Sequence, residues 1–490
     1  MNLLSLVLDH NSKDSMYTQL FRWFQVNIEE GNIRPGEKLP SLRALSAQLA
    51  VSITTVQAAY NQLVVEGYAS NRPQSGYYAE DLRSASSPAR PSAEAHRQTF
   101  QKFITKEPKF RYDLSSFNYV KWKKCMSKVL NEYPALLLSE GDPQGEPMLR
   151  EEISRYVYNA RGVNCTPQQI VISAGTQQLT SHLARILHEM DMHLIATEDP
   201  GYQPVQKIFR DSGYSVMPIP VRKDGIVIEQ LPENVSTAVY VNPSNQFPTG
   251  SVMPIGRRYQ LLDWAERNRS LIIEDDYDSE LRYFGKPIPS LQGLRADAPG
   301  VYLGSFSSTL FAAIRMSYMV LPEHLAEIFQ KIKSQYDQTS SKTEQLTLAL
   351  YMERGYYGIH LKKLRSLYAQ KLKTALRALE QCGGQFLTPL NRTSGIHIPL
   401  TVRLPESILA MEGSDEDASQ DSLCGGASVQ TISRKLCAAA EELRLKVLPL
   451  PAESSTRQCG LLFYYNQIPL DEIDSAVEEL TDRWRKMLHL

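Results

Sequence analysis

Gly175-Thr176-Gln177, Tyr202, the pair Asp275 and Tyr277, and the group Ser305, Ser307 and Arg315 each lie at or just past the end of an apolar, strand-like run. At the first, backbone amides opening a helix can face a phosphate, helped by the Thr176 hydroxyl and the Gln177 amide. Tyr202, in Glu198-Asp199-Pro200-Gly201-Tyr202, can stack on a flat ring. Asp275 can pair with a protonated ring nitrogen, and Tyr277 can reach a hydroxyl on the same ring. Ser305, Ser307 and Arg315 add two hydroxyls and a guanidinium for phosphate oxygens. Taken singly, each has an ordinary reading as a strand-end carboxylate, a core aromatic or a surface ion pair. Their order and spacing argue for one site, and the molecule that would use them all is pyridoxal phosphate. Its chemistry normally needs a lysine to hold the aldehyde and shuttle protons. In Gly304-Ser305-Phe306-Ser307-Ser308-Thr309-Leu310 that position is Ser308, and a hydroxyl forms no imine.

The elements that must position these groups are apolar runs alternating with helical stretches. The runs at 169–173, 193–197, 237–241, 270–274 and 300–304 predict buried strands, and the alternation predicts an α/β sheet covered by helices on both faces. Length and composition agree: 490 residues, 42% hydrophobic and 22% charged, suffice for two or three cores. The net charge of −1 implies no acidic partner, so any nucleic-acid contact must be local. No run of about 18 apolar residues and no leader signal occur, so neither a membrane partner nor export is expected, and the location expected is cytoplasmic. Six cysteines without CxxC spacing read as reduced thiols, and no metal site is expected.

The first 80 residues have a different character. Apolar positions at helical spacing (Tyr17, Leu20, Phe21, Phe24, Ile28) end at Gly31-Asn32-Ile33-Arg34-Pro35-Gly36. Ser41 and Ser52 are placed to cap two further helices. In the last of these Ile53, Val56, Tyr60 and Leu63 are expected inside, with Thr54, Thr55, Gln57 and Asn61 outside. Two short strands with Gly76 in their turn would form a wing. This predicts a helix–turn–helix whose Thr54, Thr55 and Gln57 meet base edges or phosphates, while Arg43 clamps a phosphate and Arg72 enters a minor groove or holds the backbone. Residues 81–124 carry ten Lys or Arg against four Asp or Glu, whereas 1–80 carry six against seven. Domains are therefore expected at 13–81 and 113–490, joined by a basic flexible linker over 82–112, with an acidic surface insertion at 405–428.

Leu39-Pro40-Ser41-Leu42-Arg43-Ala44-Leu45, Ser52-Ile53-Thr54-Thr55-Val56, Gly67-Tyr68 and Ser75-Gly76 together resemble the GntR-type winged helix. Ile53 departs from it, since an arginine often follows the capping serine. From about 113 onward, Gly141-Asp142-Pro143-Gln144-Gly145, Arg161-Gly162-Val163, residues 173–178, 198–202, 242–250 and 274–280 resemble the aminotransferase-like body of MocR-type, GabR-like regulators. The resemblance covers nearly the whole chain. It implies a winged helix-turn-helix followed by a fold-type I α/β body with a mixed, mostly parallel sheet. It further implies a homodimer, head-to-tail, that binds a double-stranded DNA operator and a small-molecule effector. Against the family's pattern, Ser308 replaces the Schiff-base lysine, Asn245 stands in the ligand set where a histidine is usual, and Glu140 precedes Gly141 where an aromatic is usual.

The function expected is that of a DNA-binding transcription regulator, not an enzyme, with no catalytic residue. Its body would sense pyridoxal phosphate, a pre-formed aldimine of it or another small molecule, non-covalently. Ser41, Ser52 and Gly76 would shape the DNA surface, and Arg457, ahead of a strand at 460–465, is a candidate for an effector carboxylate. Two alternatives stay open: an aminotransferase that uses another lysine such as Lys342, and a body that only dimerises.

Overall fold

In the first 80 residues, helical spacing and capping act as their chemistry dictates. The computed structural model describes residues 8–9, 12, 14–73, 75–82, 108–283, 289–295, 298–390, 393–405, 426–450 and 458–490. Most of the expected linker, nearly all of the acidic insertion, Gln74 and Arg457 lie outside the described residues. Contacts divide the chain into two compact units, Met1–Glu107 and Pro108–Leu490.

The first unit holds helices α1 (Met16–Glu29), α2 (Leu42–Leu49) and α3 (Ile53–Val65) and a hairpin of β1 (Ala69–Arg72) and β2 (Gly76–Ala79). The Ser41 hydroxyl accepts from the Ala44 amide at 3.2 Å and that of Ser52 from the Thr55 amide at 3.1 Å. Each satisfies one of the amides that a helix start leaves without a partner. Leu20, Phe24 and Ile28 of α1 meet Leu45 of α2 and Val56, Ala59, Tyr60 and Leu63 of α3 in one core. Phe24 lies edge-on to Tyr60, ring centroids 5.3 Å apart. Two positions differ from expectation. Tyr17 and Ile53 are 44% and 46% exposed, because each sits in the first turn of its helix, where the core has ended.

The second unit is built on an eight-stranded sheet. Its strands are β3 (Ile170–Ser173), β4 (Leu194–Asp199), β5 (Ser215–Arg222), β6 (Gly225–Ile226), β7 (Ala238–Val241), β8 (Leu271–Asp276), β9 (Gly300–Ser305) and β10 (Ser317–Val320). Their order is β3-β10-β9-β8-β7-β4-β5-β6. Strands β9, β8, β7, β4 and β5 run parallel, and β10 lies antiparallel between β3 and β9. The five runs read from sequence are β3, β4, β7, β8 and β9; β8 continues two residues further, so that Asp275 lies within it.

The main helices of this unit are α4 (Tyr119–Glu132), α5 (Pro147–Arg161), α6 (Thr176–His188), α7 (Gln203–Asp211), α8 (Ile255–Arg267), α9 (Glu323–Ile332), α10 (Lys342–Glu353), α11 (Tyr356–Gly383), α12 (Gly426–Glu442) and α13 (Ile473–Leu488). Strand alternation explains why both faces of the sheet are covered. Leu271 and Ile273 of β8 join a core with Leu183 of α6, Phe209 of α7 and Phe329 of α9. Between them, Ile272 faces the other way, toward Leu261 and Trp264 of α8. Beyond α11 a smaller antiparallel sheet forms from β11 (Leu387–Pro389), β12 (Ile398–Arg403), β13 (Val447–Pro449) and β14 (Gln458–Phe463), in the order β11-β12-β14-β13. Helices α11, α12 and α13 close over its apolar face.

Phe24→Ala removes a fully buried ring from the small first core, and such a truncation costs about 3–5 kcal/mol. The variant is expected to show a new low-temperature transition in calorimetry of the full chain, with the transition of the second unit unchanged.

Candidate functional site

Parallel strands deliver their carboxyl ends to one edge of a sheet, and that edge is where open α/β folds bind ligands. Here the ends of β3, β4, β7, β8 and β9 surround a cleft of about 320 Å³, lined by Gly175, Thr176, Gln177, Tyr202, Asn242, Phe247, Asp275, Tyr277, Ser305, Ser307, Arg315 and Ser317. The small sheet and its flanks contribute Ile396, His397, Leu448 and Tyr464. Nine of the ten residues named from sequence as ligand contacts are thus brought together.

The phosphate end is shaped by close approach. Gly175 has φ +93°, and a Cβ there would lie 2.7 Å from the Arg315 guanidinium. Glycine is therefore favoured by conformation, and a side chain there would push the Arg315 guanidinium away. Arg315 itself is left-handed, with φ 44°. Thr176 and Gln177 open α6, so their amides have no partner within the helix. The Ser305 hydroxyl accepts from Ser317 at 3.0 Å, while that of Ser307 is buried with no hydrogen-bond partner. A guanidinium, free helix amides and an orphaned hydroxyl together suit a phosphate.

The ring end centres on three consecutive carboxylates of β8. Asp276 is held by Arg161 at 2.7 Å and by the Tyr302 hydroxyl at 2.7 Å. Glu274 has Arg258 at 3.8 Å and accepts from the Leu291 amide at 2.7 Å. Asp275, between them, faces the cleft, and none of the ion pairs among the described residues involves it. The Tyr240 hydroxyl donates to it. Burial pushes the Asp275 carboxyl up to about 6, against which the bonds from Tyr240 and Asn242 act. A buried carboxylate with a phenol but no cation is suited to a cationic group on a ligand. Tyr202 and Phe247 stand edge to face at 6.0 Å and Phe247 and Tyr277 at 6.5 Å, giving the ring apolar walls.

The site differs from the sequence reading at several places. Asn245 does not line the cleft; it stands behind Tyr277, donating to its hydroxyl at 3.2 Å and to Asp278 at 2.6 Å. The lining asparagine is Asn242, whose side-chain amide donates to the Asp275 carbonyl at 2.9 Å. Ser308 is half-buried in the turn after β9, and Ser307 rather than Ser308 lines the cleft. Among the described residues, no lysine lines it. Lys342 instead donates to the Glu140 carbonyl at 2.9 Å, and neither residue reaches the cleft. Phe247, Ser317, His397, Leu448 and Tyr464 went unnoticed in the sequence, because nothing in a lone His or Tyr signals which strand end it will meet.

The winged-helix unit carries a surface of its own. Ser41, Arg43, Ser52, Thr54, Gln57 and Arg72 are exposed, Thr55 and Gly76 half-buried. The Arg72 guanidinium lies 4.4 Å from the Tyr78 ring centroid and the Lys38 ammonium 5.9 Å from the same ring. A lone Lys38 carried no signal in the sequence; the register of β2 brings it to the wing. None of the ion pairs among the described residues involves Lys38, Arg43 or Arg72, which leaves three cations for phosphates.

Together, these features define a winged-helix protein with an aminotransferase-like body. Residues 134–418 match the family model of aminotransferase class I and II, and residues 17–78 that of bacterial regulatory proteins, gntR family. The chain belongs to the gntR-family transcription regulators that carry an aminotransferase class I and II domain. The HTH-type transcriptional regulator YdeL of Bacillus subtilis (strain 168) is 40% identical over 401 residues, 80% of this chain and 84% of that one. MocR of Rhizobium meliloti, which bears the name of a rhizopine catabolism regulatory protein, is 30% identical over 80% of this chain and 83% of its own. In fold, the body resembles the kynurenine aminotransferase of Pyrococcus horikoshii, with a TM-score of 0.62 at 20% identity over 83% of this chain and 97% of that one. A gntR-type winged helix implies DNA binding, and no described helix is long and apolar enough to cross a membrane.

Replacing Arg43 and Arg72 together by Ala should weaken DNA binding across sequences and lower the slope of log affinity against log salt by ~0.9 for each phosphate no longer neutralised. Fluorescence anisotropy from low to moderate salt measures this. A second expectation concerns Glu198, buried at the end of β4, whose carboxyl burial pushes up to about 8. The folded chain thus holds a proton that the unfolded chain releases near pH 4.5, so this group's contribution to stability falls as pH rises from about 4.5 to 8. Glu198→Gln, with no proton to lose, should gain melting temperature relative to the parent between about pH 5 and pH 8.

Proposed function

We propose that this chain is a transcription regulator whose body binds pyridoxal phosphate, or a close relative of it, non-covalently and reports occupancy to the winged helix. The observation that carries the reading is Asp275: a buried carboxylate facing the cleft without a cation, opposite a phosphate cradle of Gly175, Thr176, Ser307 and Arg315. A protonated pyridine nitrogen would supply the missing charge, and Tyr277 would contact the ring hydroxyl. When bound to an enzyme, pyridoxal phosphate supplies an electron sink. In this chain Ser308 would stand where such enzymes keep their lysine, so binding takes the place of catalysis. The relatives named as regulators support the same reading.

The regulator would act in the cytoplasm as a head-to-tail homodimer, with domains at 13–81 and 113–490 joined by a basic linker. Two winged helices then read two half-sites, and their spacing sets affinity. A ligand that favours one arrangement of the body shifts that spacing, which couples the two sites. Arg457 remains a candidate for the effector's carboxylate.

The test is a titration with pyridoxal phosphate followed by borohydride reduction and mass spectrometry, on the parent chain and Asp275→Asn. Saturable binding without covalent mass is expected, weakened in the variant by about tenfold to a hundredfold, the worth of one charge-assisted hydrogen bond. Covalent mass on a lysine would overturn non-covalent sensing. If saturating ligand changes neither the affinity for selected DNA nor the preferred half-site spacing, sensing itself is wrong.

A further inference from the structure

Helix α3 contains no charged residue: its thirteen side chains, from Ile53 to Val65, are apolar, hydroxyl or amide. Val56, Ala59, Tyr60 and Leu63 are spent on the core. Outside them, Ile53 and Gln57 stand one helical turn apart, and Thr54 and Ala58 follow on the same face. All four are exposed. The cations lie on other elements. Arg43 is on α2 and Arg72 on β1, with the Arg72 guanidinium 4.4 Å and the Lys38 ammonium 5.9 Å from the Tyr78 ring centroid.

Most polar groups around this face are already engaged. The Ser52 hydroxyl accepts from the Thr55 amide at 3.1 Å and lies 2.7 Å from the hydroxyls of both Thr54 and Thr55. Asn61, the next turn on from Gln57, accepts from the Tyr77 hydroxyl at 3.4 Å, and Gln62 donates to Glu66. No hydrogen bond among the described residues involves the Gln57 side chain. Its amide therefore keeps both a donor and an acceptor, beside the apolar surface of Ile53.

The major groove offers each base pair a different partner. Guanine shows two acceptors, N7 and O6, which Arg or Lys commonly meets. Adenine shows an acceptor and a donor, N7 and the N6 amino group, which an amide matches as a pair. Thymine shows a methyl group, which takes an apolar contact. We propose that α3 reads adenine–thymine pairs: Ile53, flanked by Ala58, packs on a thymine methyl, and Gln57 bonds to N7 and N6 of an adenine nearby. Four residues of helix advance about 6 Å and stacked pairs rise about 3.4 Å, so the two side chains meet pairs one or two steps apart. Base choice then comes from an uncharged helix, while Lys38, Arg43 and Arg72 supply affinity without choosing a sequence. This rests on the DNA binding that a gntR-type unit implies and is independent of what the cleft holds.

The experiment selects duplexes from a random-sequence library with the full parent chain, then measures the chosen duplex by fluorescence anisotropy. The selected half-site should contain an adenine–thymine step. Replacing its thymines one at a time by deoxyuridine, which lacks only the methyl, should at one position weaken binding about threefold to fivefold, the worth of one buried methyl. Replacing its adenines by 7-deazaadenine should at one position cost about tenfold. Ile53→Ala should abolish the deoxyuridine effect and Gln57→Ala the deazaadenine effect. Ile53 lies outside the core, and circular dichroism checks that each variant is folded. Ile53→Arg, carried through the same selection, should move the preference at that position to guanine. The assignment is overturned if the parent selects guanine–cytosine pairs throughout its half-site, or if deoxyuridine binds as well as thymine everywhere. It also falls if the parent enriches no sequence, in which case binding to the unselected library leaves the DNA-binding reading standing.

Discussion

The cleft depends on a charge imbalance at the end of one strand. Glu274, Asp275 and Asp276 follow one another in β8, and among the described residues arginines pair with the outer two only. The reason is geometric. Residues two apart share a face of the sheet, so Glu274 and Asp276 reach the side where Arg258 and Arg161 stand, and Asp275 turns to the other. A carboxylate buried there without a counter-charge is expensive in isolation and becomes favourable once a cation arrives. Acidic neighbours in sequence thus acquire different surroundings: two pair with arginines at the sheet edge, and the third faces the cleft.

Around that centre the two sheets contribute different chemistry. The parallel sheet brings backbone amides, hydroxyls and Arg315, all donors, to the ends of β3 and β9. Its close packing shows in Gly175, where a Cβ would lie 2.7 Å from the end of the Arg315 side chain and displace it. The small antiparallel sheet and its flanks bring His397, Tyr464 and the apolar Ile396 and Leu448 from segments distant in sequence.

The winged helix works by other means. Its core is small and depends on aromatic contacts among Phe24, Tyr60 and Tyr77. Its acidic and basic residues nearly balance over the first 80 positions. Lys38, Arg43 and Arg72, none of them in an ion pair among the described residues, thus sit in a balanced field rather than on a broad basic face. Exposed Ile53 beside Thr54 and Gln57 gives the start of α3 an apolar contact surface instead of a charged one. Affinity from such a surface rests on few phosphate contacts, so two copies binding together would matter more than one.

Much of this was legible in the sequence because it is local. Helix caps at Ser41 and Ser52, the apolar strand runs, and the Gly-Thr, Asp-x-Tyr and Ser-x-Ser groups at strand ends all act within a few residues of where they stand. Strand ends on one edge of a parallel sheet converge by topology, so naming the strands nearly names the cleft. The reading failed where contact is decided across the chain. Asn242 and Asn245 lie close together in sequence, and only the path of the loop after β7 decides which faces the ligand and which supports Tyr277. Strand β10 was not read from the sequence; it gains its place from neighbours on both sides, β3 and β9. The sequence by itself determined the winged helix ahead of an α/β body, the residue types gathered at the strand ends and the polar face of α3, since these depend on side-chain type and short-range periodicity. The tertiary structure alone decided that no cation among the described residues pairs with Asp275 and that His397 and Tyr464 line the same cleft, because both depend on how strands far apart in the chain pack, to which no local pattern corresponds.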